Sequence, residues 1–225
     1  MGIDLGYNTI TKIIRENIIT KVINMTEKKL TLPLSEEAVR DLKLGDSVFL
    51  TGTFFTARDE AHLHALKTFK EGKPLPVEFT NSAVFHCGPI MKKLNDDSWQ
   101  IVAAGPTTSS RMNSLEPEFI ETFKVRAIIG KGGMSQPTID SMQKHGCVYL
   151  ALTGGAAILA ANGISKVNGV HWYELGMPEA LWVLEGVDFG PLIVAIDAHG
   201  NSIYKSVDNI VSGNIANIRK KLKID

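Results

Sequence analysis

Strand-like runs alternate with helix-like runs along most of this chain, and glycine closes most of the strand-like ones. Ser47–Thr53 is rich in β formers and is broken by Gly52. Ser82–Cys87 runs into Gly88-Pro89, Trp99–Ala104 into Gly105-Pro106, and Val125–Ile129 into Gly130-Lys131-Gly132-Gly133. Cys147–Leu152 stops shortly before Gly154-Gly155. Glycine and proline end extended structure sharply because of their special backbone freedom and restriction. Between these runs lie helix-like segments with start signals. Ser35 precedes Glu36–Leu42, and Ser135 or Thr138 opens a helix to about Lys144, which Gly146 ends. A helix from near Thr56 continues to Glu71 and stops at Gly72, and Glu116–Phe123 and Asn209–Leu222 complete the set. Such alternation favours α/β organisation without fixing its topology.

The remaining stretches fit that scheme. Val22–Leu32, Val167–Glu174, Val183–Val187 and Leu192–Ile196 read as strands, and Met91–Ser98 as an exposed polar turn. Residues 1–21 read as an N-terminal extension or docking arm, with residues 22–225 forming the main domain. A length of 225 residues with 44% hydrophobic content supports one large domain with a real core.

Charge and cysteine usage exclude several classes. The 24 basic and 24 acidic residues give no general attraction for nucleic acid or an acidic membrane. No run reaches the roughly 18 apolar residues of a membrane span. The N-terminus lacks a basic region followed by a long apolar one, so a cytoplasmic protein is the expectation. Cys87 and Cys147 make neither a disulfide scaffold nor a CxxC motif, and this chain alone cannot supply four cluster cysteines.

Three polar stretches could meet a ligand. Gly105–Met112 reads Gly-Pro-Thr-Thr-Ser-Ser-Arg-Met at a strand-to-helix connection. Its hydroxyls and free N–H groups suit an anion, and Arg111 suits a carboxylate bidentately; a capped polar turn is the plainer reading. Lys131 stands in a glycine loop that lacks Walker A order, where it could hold a carboxylate or simply face solvent. Arg58 and His62 would share one helix face, four residues apart. Arg58 could alternatively make a surface salt bridge worth about 0–1 kcal/mol. His62 and His64 are a weak metal signal, and ordinary surface or supporting histidines account for them. His86 and Cys87 could touch a ligand but offer no adequate metal shell, and burial suits Cys87. Glu174, Glu179 and Glu185 are too scattered in sequence to define a catalytic pair.

The ordered set of motifs is more specific than any one of them. Leu50-Thr51-Gly52-Thr53 with Thr56–His62, then Gly105–Met112, Ile129–Met134 and Trp172–Ala180, resembles the beta subunit, or C-terminal domain, of class I iron–sulfur fumarate hydratases and L-tartrate dehydratases. The resemblance covers the chain from about residue 22 onward. It implies a three-layer β/β/α swivelling-type domain. It also implies half an enzyme, whose partner is an alpha subunit carrying the [4Fe–4S] cluster, with no metal ligands on this chain. By the same resemblance Thr107 matches the proton-transferring threonine, and Arg58, Arg111 and Lys131 match carboxylate-binding residues. Thr108 and His62 fit a supporting shell. Arg111 and Lys131 would stabilise charge that develops when a C3 proton leaves, while the partner's iron would act on the departing hydroxyl.

The activity so implied is reversible hydration of fumarate to (S)-malate. The alternatives are L(+)-tartrate dehydration to oxaloacetate and a noncatalytic dicarboxylate-binding or assembly role. Dimerisation between beta subunits is left open.

Overall fold

Residues 26–222, apart from Gly154 and Ala156, are described in a computed structural model. The expected arm, residues 1–21, and the start of the expected first strand lie outside them. Nine strands and six helices follow in the order β1 (Glu27–Thr31), α1 (Glu36–Arg40), β2 (Ser47–Thr56), α2 (Asp59–Lys70), β3 (Ala83–Phe85), β4 (Ile90–Lys93), β5 (Trp99–Ala103), α3 (Glu116–Phe123), β6 (Ala127–Gly130), α4 (Gln136–His145), β7 (Val148–Ala151), α5 (Ala157–Asn162), β8 (Ile164–His171), β9 (Leu181–Ile196) and α6 (Ile203–Leu222). Short 3-10 turns at Ser109–Met112 and Tyr173–Leu175 complete the described chain.

Five strands close a barrel. β2, β3, β6 and β7 run parallel in that order, and β9 pairs antiparallel with both β7 and β2. β1 extends the sheet beside β2, β8 extends it beside β9, and β4 and β5 form a separate hairpin. Two apolar layers result from the two-residue period of a strand. Ala83, Phe85, Ala127, Ile129, Val148 and Leu150 enter one cluster with Phe54 and Trp182. Their alternates Val84, Ile128 and Tyr149 enter the other, with Ala61, Phe119, Ile120, Ile139 and Met142 from α2, α3 and α4. Strands buried on both faces read as continuous apolar runs, which is how β3, β6 and β7 appear in the sequence. The outcome is the three-layer β/β/α swivelling type.

The start and stop signals act locally as their chemistry dictates. Ser35 Oγ accepts the Ala38 N–H at 3.1 Å and caps α1. Gly146, at φ 68°, ends α4 in the left-handed conformation.

Several readings change. Gly52 does not break β2: the strand continues to Thr56, and Gly52, at φ 118°, lets it pass Leu32, whose carbonyl oxygen would lie 3.1 Å from an added Cβ. α2 therefore begins at Asp59 rather than near Thr56. The expected turn Met91–Ser98 contains β4, which pairs with β5 while exposing Lys92 and Lys93. The two expected late strands are one 16-residue strand, β9. Its bulged pairing with β2 curves it around the barrel. Among the described residues no helix is long and apolar enough to cross a membrane.

Candidate active site

Parallel pairing sends the carboxyl ends of β2, β3 and β6 to one edge of the barrel, so the segments that follow them become neighbours. Arg58 follows β2, His86 follows β3, and Lys131 follows β6. The Gly105–Met112 loop is stitched into the same edge. Thr107 N–H donates to His86 O at 2.7 Å, and Cys87 bridges to Pro106. Thr108 forms a parallel bridge with Lys131, and Ser109 N–H donates to Lys131 O at 3.0 Å. These backbone bonds extend the sheet ladder into the loops and fix Thr107, Thr108 and Lys131 side by side. Thr107 and Lys131 are half-buried, while Thr108 and Arg111 are exposed. Arg111 sits in the 3-10 turn that Ser109 opens. Asn113 Oδ1 accepts the Ser135 N–H at 2.9 Å and ties the end of this loop to the start of α4.

Two glycines have specific steric roles. A Cβ on Gly130 would overlap Ser109 Oγ, so the glycine makes room for the loop packed against it. A Cβ on Gly88 would fall 2.8 Å from Arg58 Nη1 and 2.9 Å from Pro178 Cβ, so Gly88 admits the guanidinium.

Arg58 and His62 do not share an outward helix face. Arg58 precedes α2 in an extended conformation, φ −116° and ψ −163°, and its Nε lies 3.1 Å from Glu179 Oε1. The same Glu179 accepts the Glu60 N–H through Oε2 at 3.2 Å. His62 points inward and is fully buried. It is a core residue beneath the loops rather than a surface one, because its ring completes the apolar face of α2 against Phe119, 4.4 Å between ring centroids. His64 stacks on Trp172 instead, at 4.7 Å.

Beneath the loops lies a buried polar cluster. Glu116 Oε2 stands 3.0 Å from His86 Nε2 and 3.3 Å from His62 Nε2, and all three side chains are 0% exposed. Neither contact has good hydrogen-bond alignment: both Nε2 atoms and both Glu116 oxygens lack a hydrogen-bond partner among the described residues. The outer ring nitrogens are better engaged. His62 Nδ1 meets the Arg58 carbonyl at 2.8 Å, and His86 Nδ1 meets Ser109 Oγ at 2.9 Å. Tyr149 donates its hydroxyl to the same Ser109 Oγ at 2.9 Å. Burial by itself raises the Glu116 carboxyl, but the two imidazoles beside it, His86 and His62, outweigh that and hold the group down to about 2. Burial lowers both histidines. For His62 the attraction of Glu116 and the Arg58 carbonyl prevails and the pKa is raised, whereas for His86 burial prevails. The consistent assignment is an ionised Glu116, a protonated His62 that donates through Nδ1 to the Arg58 carbonyl and faces Glu116 with Nε2, and a neutral His86 that accepts from Ser109.

The three ligand atoms lie within 4.8 Å of one another, as metal ligands would. The charge on Glu116 is already compensated by protonated His62, so we read the group as proton-bridged. An iron–sulfur cluster does not fit this chain. Its two cysteines are both buried, and burial pushes both thiols up, away from the thiolate that iron needs.

Sequence reasoning gave Glu116, Ser109 and Tyr149 no individual role, set Glu179 aside as an acid–base candidate, and considered His86 only as a ligand contact. One signal was available. Glu116 shares the i, i+3, i+4, i+7 face with Phe119, Ile120 and Phe123, so it had to be a buried carboxylate in need of partners. A 430 Å³ groove between α2 and α3, lined by Leu63, Leu66, Lys67 and Leu115 among others, contains none of the candidate loop residues.

Comparison with known proteins gives a consistent answer. The family described as "Fumarase C-terminus" matches residues 8–207. The "Putative L(+)-tartrate dehydratase subunit beta" of Methanocaldococcus jannaschii is 51% identical over 179 residues, 79% of this chain and 91% of that protein. The "L(+)-tartrate dehydratase subunit beta" of Escherichia coli K12 is 45% identical over 177 residues, 79% of this chain and 86% of that protein. A "Putative fumarate hydratase class I" of Geobacillus stearothermophilus is 40% identical over 179 residues, and this chain spans only 34% of its length.

Proposed function

Because the chain belongs to the fumarase C-terminus family, that of class I fumarate hydratase and tartrate dehydratase beta subunits, we propose that it is the beta subunit of a two-component hydro-lyase that dehydrates L(+)-tartrate to oxaloacetate. The observation that carries the substrate is the set of separate beta subunits named for L(+)-tartrate, 45–51% identical and matched over most of their length. These similarities favour tartrate over the fumarate hydration expected from the motifs. Fumarate hydration is the second reading, supported by the 40% identical class I fumarate hydratase relative.

The proposed roles follow from chemistry. Tartrate carries two carboxylates, and Arg58, Arg111 and Lys131 neutralise and orient them. Thr107 takes the proton from the carbon next to one carboxylate. Negative charge then spreads onto that carboxylate, where Arg111 and Lys131 stabilise it. Loss of one hydroxyl as water leaves an enol, which becomes oxaloacetate by proton shift. A threonine is a weak base, so its use depends on this cationic setting. Thr108 and His62 support the loops. The cluster implied by the family is proposed for an alpha subunit, since the cysteines here do not fit one.

The test is coexpression with the cognate alpha subunit, anaerobic iron–sulfur reconstitution, and comparison of L-tartrate, fumarate and malate on one preparation. Turnover with L-tartrate at the highest kcat/KM supports the first reading, and higher efficiency with fumarate supports the second. Robust turnover by this chain alone, without iron, would remove the split-site reading. Thr107→Ala is expected to lower kcat by roughly 10²–10⁴-fold with little change in KM. Arg111→Ala is expected to impair both parameters.

A further inference from the structure

We propose that Glu116, His62 and His86 are positioning residues that hold the Arg58 segment and the Thr107–Arg111 loop at a fixed spacing, with Ser109 as the contact point on the loop side. Both imidazoles face one carboxylate oxygen of Glu116, Oε2, at 3.3 Å from His62 Nε2 and 3.0 Å from His86 Nε2. Each imidazole uses its far nitrogen to grip one of the two segments: His62 Nδ1 the carbonyl of Arg58 at 2.8 Å, and His86 Nδ1 the hydroxyl of Ser109 at 2.9 Å. The His86 backbone adds a second grip, since its carbonyl accepts the Thr107 N–H at 2.7 Å. The path from Arg58 to the Thr107 loop therefore runs through three fully buried polar side chains.

A buried ionic group is costly to desolvate and is often replaceable by apolar packing without loss of stability. Its physical advantage is direction. An apolar core would fill the space under these loops but would not orient the Arg58 carbonyl and the Ser109 hydroxyl. The open coordination of Glu116 is consistent with this: Oε1 and Oε2 are both buried without a well-aligned hydrogen-bond partner among the described residues, a cost that stability alone does not explain. Asp59 from α2, Tyr149 from β7 and Cys147 before it also face the cluster, so its proton pattern depends on the complete fold. The kinetic half of this proposal rests on the two-component hydro-lyase reading; the hydrogen-bond half does not.

The experiment has two arms. In the first, the full-length chain is labelled with ¹⁵N in histidine, and imidazole spectra are recorded at neutral pH. The expected pattern is His86 neutral with its proton on Nε2, and His62 protonated on both nitrogens. Ser109→Ala should change the His86 signals and leave those of His62, whereas Glu116→Gln should change both. A His86 proton on Nδ1, signals indifferent to Glu116→Gln, or stoichiometric zinc in the purified chain would overturn the network. In the second arm, the reconstituted complex is assayed. Ser109→Ala keeps the fold by removing one small buried group and is expected to lower kcat roughly tenfold to hundredfold, with KM nearly unchanged. Glu116→Gln releases the Arg58 side as well, so KM should rise in addition. Wild-type kcat and KM in both variants would overturn the positioning role. A complex that turns over no dicarboxylate would instead count against the proposed function, and the spectra would still decide the network.

Discussion

Gly130 leaves the space of its absent side chain to Ser109. The hydroxyl of Ser109 occupies the place where a Cβ would stand, and Tyr149 OH lies 3.1 Å from that point. Gly130→Ala must therefore push the Thr107 loop away from β6 or displace the strand end. Overpacking of this kind costs about 1–3 kcal/mol. Urea unfolding should show that loss, and the active complex should lose kcat as well, because Ser109 cannot keep its bond to His86.

Glu179 lies far from Arg58 in sequence and holds it in the fold. The pair is mostly sheltered, with side-chain exposures of 20% and 18%, and Glu179 also accepts the Glu60 N–H. Glu179→Gln keeps the volume and the acceptor but removes the charge that fixes the guanidinium. The expected result is a KM increase of roughly tenfold, equivalent to about 1.4 kcal/mol, with kcat less affected. Steady-state kinetics on the complex would check it. Gly88→Ala should act in the same direction by crowding Arg58 Nη1.

Glu116 makes stability depend on acidity in a defined direction. Its folded pKa of about 2 lies below the ordinary 4.5, so its ionised form stabilises the fold above pH 4.5, and that contribution is lost as pH falls toward 2. His86, lowered from 6.5, also loses stability on acidification, whereas His62, raised from 6.5, contributes below that pH and loses its contribution as pH rises through its folded value. Thermal melts between pH 2.5 and 5 should fall steeply for the wild-type chain and more gently for Glu116→Gln.

Cys87 and Cys147 should be silent toward a thiol reagent in the native chain. Both are buried, and burial raises both thiols, so little thiolate exists to react. Titration with an aromatic disulfide should find neither thiol reacting quickly at neutral pH, and both reacting once the chain is unfolded.

Local signals were read well where one residue decides the outcome. Ser35 caps α1, α3 spans Glu116–Phe123 as its pattern predicts, and Gly146 ends α4. They were read poorly where pairing decides. β4 carries exposed lysines and looks like a turn until β5 lies beside it. β9 looks like two strands because its local pattern is interrupted where it curves around β2. Among the candidate site residues, Thr107, Thr108 and Lys131 are joined by backbone bonds, whereas His62 is turned away from the surface.

The fold placed Arg58 ahead of its helix, whereas the sequence by itself determined the α/β alternation and the polar loops bearing Thr107, Arg111 and Lys131. These rest on local backbone preferences and on side-chain chemistry, which neighbours in sequence specify. The tertiary structure alone decided that Glu116 reaches His62 and His86, that Glu179 holds Arg58, and that Gly130 yields to Ser109. Each of these contacts joins residues that are distant in sequence and that strand pairing and helix packing bring together. Their energies depend on burial and distance, which no local pattern encodes.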